Sequence, residues 1–389
     1  MPLVKYAALP TARMSIFYAA SVYRDLAVID FSTNGHGLYN YGHLLRLQPF
    51  FPDNASARIF STHITEVDIA LGDRSRLDNA IREAVEAGFR HILLMPSSIA
   101  AVLGFDLESD AVRLSRDFGV DVFTVPAGLN TDFYAGQTAF LLAMSRHFCG
   151  DGNGAHRDYQ LLGGAPSLQA RRSHDALSAL LKDRLGLACG FDSLNATSVE
   201  DWAHANDAEI SIVTAQSAVP TARHLQEKYG IPYCFACGLG RCAEEKFLEQ
   251  VAAHFGLDGS ARQDGTYAFV LMQMKNILAV NRPAIVCYAD VDRLLALSAV
   301  FEELETEVEM ICSHENERYM HLLPDDFITR YAPRDVVVIS YDRVCRAFPR
   351  AVEVDQMGLD FRLQTPLYRP DFGVQGAYLL FEQLSELFF

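Results

Sequence analysis

The sequence is poor in basic residues relative to acidic ones. It has 33 lysines and arginines against 49 aspartates and glutamates, which gives a formal net charge of −16. Such a surface serves ordinary solubility and repels nucleic acid and anionic lipid, and no basic stripe offsets it. The sequence also lacks any run of about 18 uninterrupted apolar residues, the length that a membrane-spanning helix needs. We therefore expect neither a nucleic-acid partner nor a membrane partner.

A disulfide framework is missing as well. The eight cysteines begin only at Cys149, follow no small-domain spacing and lie mostly in apolar segments. The apolar residues 14–20 are similar to a signal peptide, but Arg24 and Asp25 follow without a clean cleavage context. We interpret this segment as the first helix of the fold and predict a reducing, cytoplasmic location.

Apolar sequence is abundant, at 50% of the 389 residues, which is enough for two or three domains. Short apolar runs alternate with helical patterns such as residues 76–87, and this alternation predicts an α/β fold of parallel sheets with right-handed crossovers. Three such blocks place the domains at residues 1–156, 157–262 and 263–389. The expected strands are residues 26–30, 90–95, 120–125, 159–164, 186–189, 209–213, 230–235, 284–288, 307–311 and 335–339.

Four segments carry a family resemblance. Residues 57–107 run from an acidic Thr-Glu-x-Asp loop, through an amphipathic helix, to a buried strand that stops at Pro-Ser-Ser. Residues 223–233 form a helix-to-strand step, residues 238–248 a glycine-rich loop and helix, and residues 366–378 a closing segment. In this order the segments resemble the nitrogenase component 1 proteins. The resemblance implies three Rossmann-like domains with parallel sheets around a central cleft.

The sequence departs from that family at its cysteines. His36 stands where the family has a cluster-binding cysteine after its first strand, and Ser98 stands at a second such position. An earlier cysteine has no counterpart near residues 9–11. Thr214 matches the position from which the active-site metallocluster hangs in the catalytic α-type chain.

These departures limit what the chain can bind alone. Iron–sulfur clusters are held chiefly by thiolates, and a serine hydroxyl is a poor replacement. The resemblance therefore implies an iron–sulfur cluster shared with a partner subunit that supplies most ligands. It points to a β-type subunit with an α-type component 1 partner, served by a homodimeric, ATP-dependent iron–sulfur reductase.

Five residues of the first domain are candidates for cofactor binding. His36 lies between glycines, including Gly35, where backbone can approach a ligand, but it also fits a surface loop with local hydrogen bonds. Ser98 is a candidate by resemblance, although it also fits a helix cap. Thr65 and Glu66 lie on the loop that the family uses near its subunit interface. Helix capping, by Thr65 or Asp68, is their alternative role.

A second candidate site is independent of the resemblance. Cys234, Cys237 and Cys242 form a C-x2-C-x4-C pattern whose three thiols are candidate ligands for a cluster or zinc. No fourth ligand is evident nearby, and small core cysteines are common at strand ends. Two further motifs give no strong prediction of a site. Gly163 and Gly164 follow a strand but lack the remaining glycines of a dinucleotide-binding fingerprint. The histidines and glutamates of residues 314–321 lack the spacing of a zinc motif and indicate a solvated polar segment.

The functional hypothesis is a β-type subunit of a nitrogenase-like component 1 complex. It would take part in ATP-driven reductive chemistry or in metallocofactor assembly. The missing cysteines favour an assembly scaffold or a tetrapyrrole-type reductase over dinitrogen reduction. The alternative is a non-catalytic cofactor carrier or small-molecule binding protein with the same three-domain shell.

Overall fold

The computed structural model describes residues 11–33, 55–96, 105–126, 132–150, 157–164, 168–259, 265–354 and 372–388. The strands are β1 (Leu26–Phe31), β2 (Ile59–Ser61), β3 (His91–Pro96), β4 (Asp121–Thr124), β5 (Arg157–Leu162), β6 (Cys189–Asp192), β7 (Ala208–Val213), β8 (Tyr233–Phe235), β9 (Gly238–Leu239), β10 (Ile285–Ala289), β11 (Glu309–Cys312), β12 (Met320–His321), β13 (Val337–Ser340) and β14 (Ala351–Glu353).

Helices separate most of these strands. They are α1 (Ala12–Ala20), α2 (Glu66–Leu71), α3 (Ser75–Glu86), α4 (Leu107–Phe118), α5 (Phe133–Phe148), α6 (Leu168–Leu185), α7 (Val219–Tyr229), α8 (Arg241–Phe255), α9 (Gly265–Asn281), α10 (Val291–Glu303), α11 (Pro324–Tyr331), α12 (Asp342–Cys345) and α13 (Gly373–Glu386). Within the described ranges, none of them has both the length and the apolar character needed to span a bilayer.

All of these strands but β9 form three sheets in the described part of the chain. Their strand orders are β2-β1-β3-β4, β6-β5-β7-β8 and β12-β11-β10-β13-β14. Every pairing within them is parallel. The central strands β1, β10 and β13 are buried along their whole length, as strands are when helices cover both faces of a sheet. The α/β class with parallel sheets is therefore confirmed.

Each sheet has a point at which the chain reverses its direction of travel across the strands. The reversals lie between β1 and β3, between β5 and β7, and between β10 and β13. Ligands of open parallel sheets bind beyond the carboxyl ends of the strands at such points. The topology thus marks three edges at which a site is expected.

One expected strand is displaced along the chain. Residues 186–188 precede β6 instead of forming it, because α6 continues to Leu185 and Gly186 then adopts a left-handed conformation at φ 73°. The Gly186 amide donates back to the Lys182 carbonyl at 3.0 Å, which closes the helix. The strand can begin only after this turn.

The first and second sheets are joined by a buried seam. Trp202 is fully buried, and its indole Nε1 donates to the hydroxyl of Tyr23 at 2.9 Å. The amide of Arg24 donates to the carbonyl of Thr197 at 2.7 Å, and Asp25 accepts from the amide of Val199 at 3.0 Å. Apolar and polar contacts together therefore fix these two units against each other.

The second and third sheets meet through the start of α10. The amide of Gln216 donates to Asp292 Oδ1 at 2.7 Å. Asp290 caps α10 by accepting from the amide of Arg293 at 2.9 Å. These bonds hold the beginning of α10 against the end of the second sheet.

The predicted domain limits stay predictions. Each sheet lies wholly within one of the ranges 1–156, 157–262 and 263–389. The second limit, at residues 262–263, falls outside the described residues, and the first falls between residue 156, which is also outside them, and Arg157, where β5 begins. Helix α5 also contacts both α1 and α7, so it belongs to the seam between the first two units as much as to the first domain.

Candidate functional site

Of the five candidate cofactor-binding residues in the first domain, Thr65 and Glu66 are within the described residues. Gly35, His36 and Ser98 lie outside the described residues. Thr65 is the N-cap of α2: its hydroxyl oxygen accepts from the Asp68 amide at 3.3 Å, and its own amide donates to Asp68 Oδ2 at 2.7 Å. The capping alternative is confirmed for Thr65, because its side chain is used in this reciprocal capping box.

Glu66 is an exposed residue in the first turn of α2. Acidic residues at this place interact favourably with the partial positive charge of a helix N-terminus. Its position therefore has a local structural reason, and its predicted part in cofactor binding stays a prediction.

In the C-x2-C-x4-C pattern, Cys237 and Cys242 line one pocket, and Cys234 is not part of it. Cys234 is buried in the core of the second domain, Cys237 packs beside the core of the third, and Cys242 is exposed in the first turn of α8. Burial raises the pKa of Cys234 to about 12. No set of three His, Cys, Asp or Glu side chains in the described segments is arranged to hold a metal ion. The structure does not bring the three thiols together as sequence spacing predicted.

A cavity lies where the second sheet ends and α10 begins. Its volume of about 50 Å³ leaves room for a few water molecules. It sits beyond the carboxyl ends of β5 and β7, the point at which a ligand site was expected. Its polar lining consists of Tyr134 and Gln137 from α5, Ser173 and His174 from α6, Thr214 after β7, and Asp292 and Arg293 from α10.

A chain of hydrogen bonds forms one wall of this cavity. Nδ1 of the buried His174 lies 2.7 Å from Asp192 Oδ1, and its Nε2 lies 2.8 Å from the hydroxyl of Thr214. Burial acts to raise the pKa of Asp192, but the charge and hydrogen bonds of His174 and of neighbouring donors hold it below its ordinary value. The imidazole is therefore held by a partner at each ring nitrogen, with a charged carboxylate on one side.

The glycine at the end of β5 is explained by this histidine. A Cβ atom on Gly163 would lie 2.7 Å from His174 Nε2, closer than real contacts allow. Gly163 is therefore explained by the close approach of the His174 side chain, and the pair at residues 163–164 is not part of a dinucleotide-binding fingerprint. It was the one sequence signal that could have drawn attention to His174.

Thr214 lies in the cavity wall, and its hydroxyl is already engaged. Besides the contact with His174, it lies 3.4 Å from the Leu162 carbonyl oxygen. Among the described residues, Cys237 contributes the only thiol of the lining, and its Sγ donates to the Asp292 carbonyl at 3.7 Å. This wall thus presents hydroxyl, amide and imidazole groups in place of metal-binding thiolates.

A polar cluster in the third domain adjoins the same cavity. The imidazole of His314 is buried and stacks on the ring of Tyr134 at 4.2 Å, with Nδ1 3.5 Å from Cys312 Sγ. Burial lowers the pKa of His314 and raises the pKa of Cys312 to about 12, so both groups favour their neutral forms. The expectation of a solvated segment at residues 314–321 is wrong for His314, because α5 covers it.

The comparisons with known proteins agree with this architecture. The family described as "Nitrogenase component 1 type Oxidoreductase" matches residues 19–346. The solved structure "Nitrogenase Cp1 at pH 6.5" is similar with a TM-score of 0.76 and 14% identity, over 100% of this chain and 94% of that chain. The solved structure "Nitrogenase Cp1 at pH 5" is similar with a TM-score of 0.60 and 17% identity, over 83% of this chain and 68% of that chain. No curated protein matches the sequence significantly.

The family match includes the first two sheets, all of the third sheet but β14, and helices α5, α6 and α10 that line the cavity. The likeness to the solved structures is one of fold, since so few residues are identical. The chain belongs to the family of nitrogenase component 1 type oxidoreductases.

Proposed function

We propose that the chain is a β-type subunit of a nitrogenase-like component 1 complex. It acts in ATP-driven reductive chemistry or in metallocofactor assembly, with an α-type partner and a separate homodimeric iron–sulfur reductase. The observation that carries this proposal is the wall of the central cavity. By the sequence resemblance Thr214 matches the position of the catalytic chain's cofactor cysteine, and its hydroxyl lies 2.8 Å from His174 Nε2.

The residues of this chain do not fit an interface iron–sulfur cluster by themselves. The first 148 residues contain no cysteine, so they supply no thiolate. Just beyond the carboxyl end of β1, the amide of Ser32 donates to the hydroxyl of Thr62 at 3.1 Å. A cluster on this face would take its thiolates from the partner, and we derive no chemical step of this chain through it.

An exposed apolar surface supports the role of a subunit. Phe269, Met272 and Val280 lie along α9 with 58%, 50% and 82% of their surfaces exposed. Large contiguous apolar surface is uncommon on monomers and is typical of contact surfaces between proteins. We assign this stripe to the interface with the partner.

Metal analysis tests the proposed function. After anaerobic purification, we expect iron and acid-labile sulfide to be absent from the isolated chain and present in its complex with an α-type partner, because the partner supplies the thiolates. Iron on the isolated chain that is lost in the variant Cys242→Ser would contradict this expectation. It would instead support a metal site at Cys234, Cys237 and Cys242. Absence of iron from both preparations would leave the alternative of a carrier or small-molecule binder.

Substitutions on α9 test the proposed interface. The double variant Phe269→Glu/Val280→Glu should weaken association with the partner at least about tenfold, since charges are poorly tolerated in an apolar contact. The matched control is Val112→Glu, which adds a charge at a position that is 73% exposed on α4. Light scattering on the mixed chains gives the measurement. Equal association of all variants would exclude α9 from the interface.

A further inference from the structure

The cavity contains buried polar atoms that lack partners. Tyr134 Oη, Gln137 Nε2, Ser173 Oγ and Arg293 Nε have no hydrogen-bond partner among the described residues. Tyr134, Gln137 and Arg293 are at least nine-tenths buried, with 9%, 2% and 5% exposure. Buried polar groups are normally hydrogen-bonded, so four such atoms around one cavity call for an explanation.

These four atoms share one chemical property. The guanidinium Nε of Arg293 and the amide Nε2 of Gln137 only donate, while the hydroxyls of Tyr134 and Ser173 are able to donate. They come from three helices, α5, α6 and α10, and all four residues line the same space. A group that satisfies them must present several acceptor oxygens.

The volume of the cavity and the charges around it limit the size and charge of the ligand. A volume of about 50 Å³ accommodates about four non-hydrogen atoms or the end of a longer molecule. Asp192 is bonded to His174 and Asp292 to the Gln216 amide, so each already has a donor. The Asp292 carboxylate lines the cavity and repels a dianion more strongly than a monoanion, whereas the Arg293 guanidinium favours a single negative charge.

We propose that this cavity binds a small monocarboxylate. The carboxylate accepts from Arg293 Nε and Gln137 Nε2, and the hydroxyls of Tyr134 and Ser173 complete its hydrogen bonds. The inference goes beyond the proposed function and holds whether or not the chain pairs with an α-type partner.

Titration calorimetry of the full chain with acetate and propionate at constant ionic strength tests the site. We expect saturable binding of one carboxylate per chain and weaker or no binding of sulfate. Arg293→Gln should weaken carboxylate binding at least about tenfold, because it removes a charged donor. Arg116→Gln is the matched control, since that side chain is 76% exposed on α4, and it should bind as the unaltered chain does.

A second variant keeps the test informative if Arg293→Gln folds poorly. Gln137→Leu removes an unpaired buried amide, so the unliganded protein should be as stable as the unaltered chain or more stable. Its thermal midpoint should nevertheless no longer rise with acetate. No saturable carboxylate binding, binding that survives both substitutions, or sulfate binding of equal strength would each overturn the proposal; the first result would mean that the cavity holds only water.

Discussion

Replacing Trp202 by alanine should lower the free energy of unfolding by about 3–5 kcal/mol, the usual cost of removing a large, fully buried aromatic side chain. Trp202 is 0% exposed and packs edge-on against Phe191, with ring centroids 5.1 Å apart. Its removal also leaves the hydroxyl of Tyr23, a residue of the first unit, without its indole donor. The loss should therefore loosen the seam between the first two sheets.

Urea unfolding followed by far-ultraviolet circular dichroism measures this effect. Trp202→Phe is the matched control, since it keeps most of the apolar volume and loses only the indole donor. We expect it to cost clearly less than the alanine variant. Equal costs would mean that the hydrogen bond to Tyr23 dominates, and a negligible cost for Trp202→Ala would contradict the buried seam. Because Trp202 is the only tryptophan, its fluorescence reports on the same seam in every other variant.

Replacing His174 by leucine should lower the free energy of unfolding by about 1.5–3 kcal/mol at neutral pH, the range for a hydrogen bond to a charged group. The substitution takes from Asp192 a partner at 2.7 Å and leaves its carboxylate among the remaining donors, which include the Leu194 amide at 2.9 Å. The control His147→Leu breaks a contact with Asp121 in which the two side chains are 36% and 34% exposed, and it should cost less than about 1 kcal/mol.

The pH dependence of this effect has a definite sign. The pKa of Asp192 is lowered in the folded protein, so its contribution to stability is complete above the ordinary aspartate pKa of about 3.9. That contribution is lost as the pH falls through the lowered value. The difference between the unaltered chain and His174→Leu should therefore shrink below about pH 4. A difference that grows with acidification would contradict a charged Asp192 in the folded state.

The fold class could be predicted from the sequence because it depends on local patterns. The apolar run at residues 26–30 became β1, and the periodic residues 76–87 became α3 with Ser75–Glu86 as its limits. The capping of α2 is equally local, since Thr65 and Asp68 are three residues apart and satisfy the helix start by themselves. Such features need no contact from a distant part of the chain.

The cysteine pattern shows where local spacing misleads. Cys234 and Cys237 are three residues apart, but β8 ends between them. The first side chain enters the core of the second domain, whereas the second turns toward α10 of the third. Spacing limits how far apart two residues are along the chain, but the fold decides which way each side chain points. A metal site requires both conditions.

The sequence by itself determined the α/β class, the order of the parallel sheets' strands along the chain, and the absence of cysteine from the first 148 residues. These properties reside in local periodicity and composition. Only the tertiary structure decided that His174 meets Asp192 and Thr214, and that Gln137 and Arg293 face the same cavity. The reason is physical: these side chains come from helices and strand ends far apart in sequence, and packing the sheets around α5 and α10 brings them together.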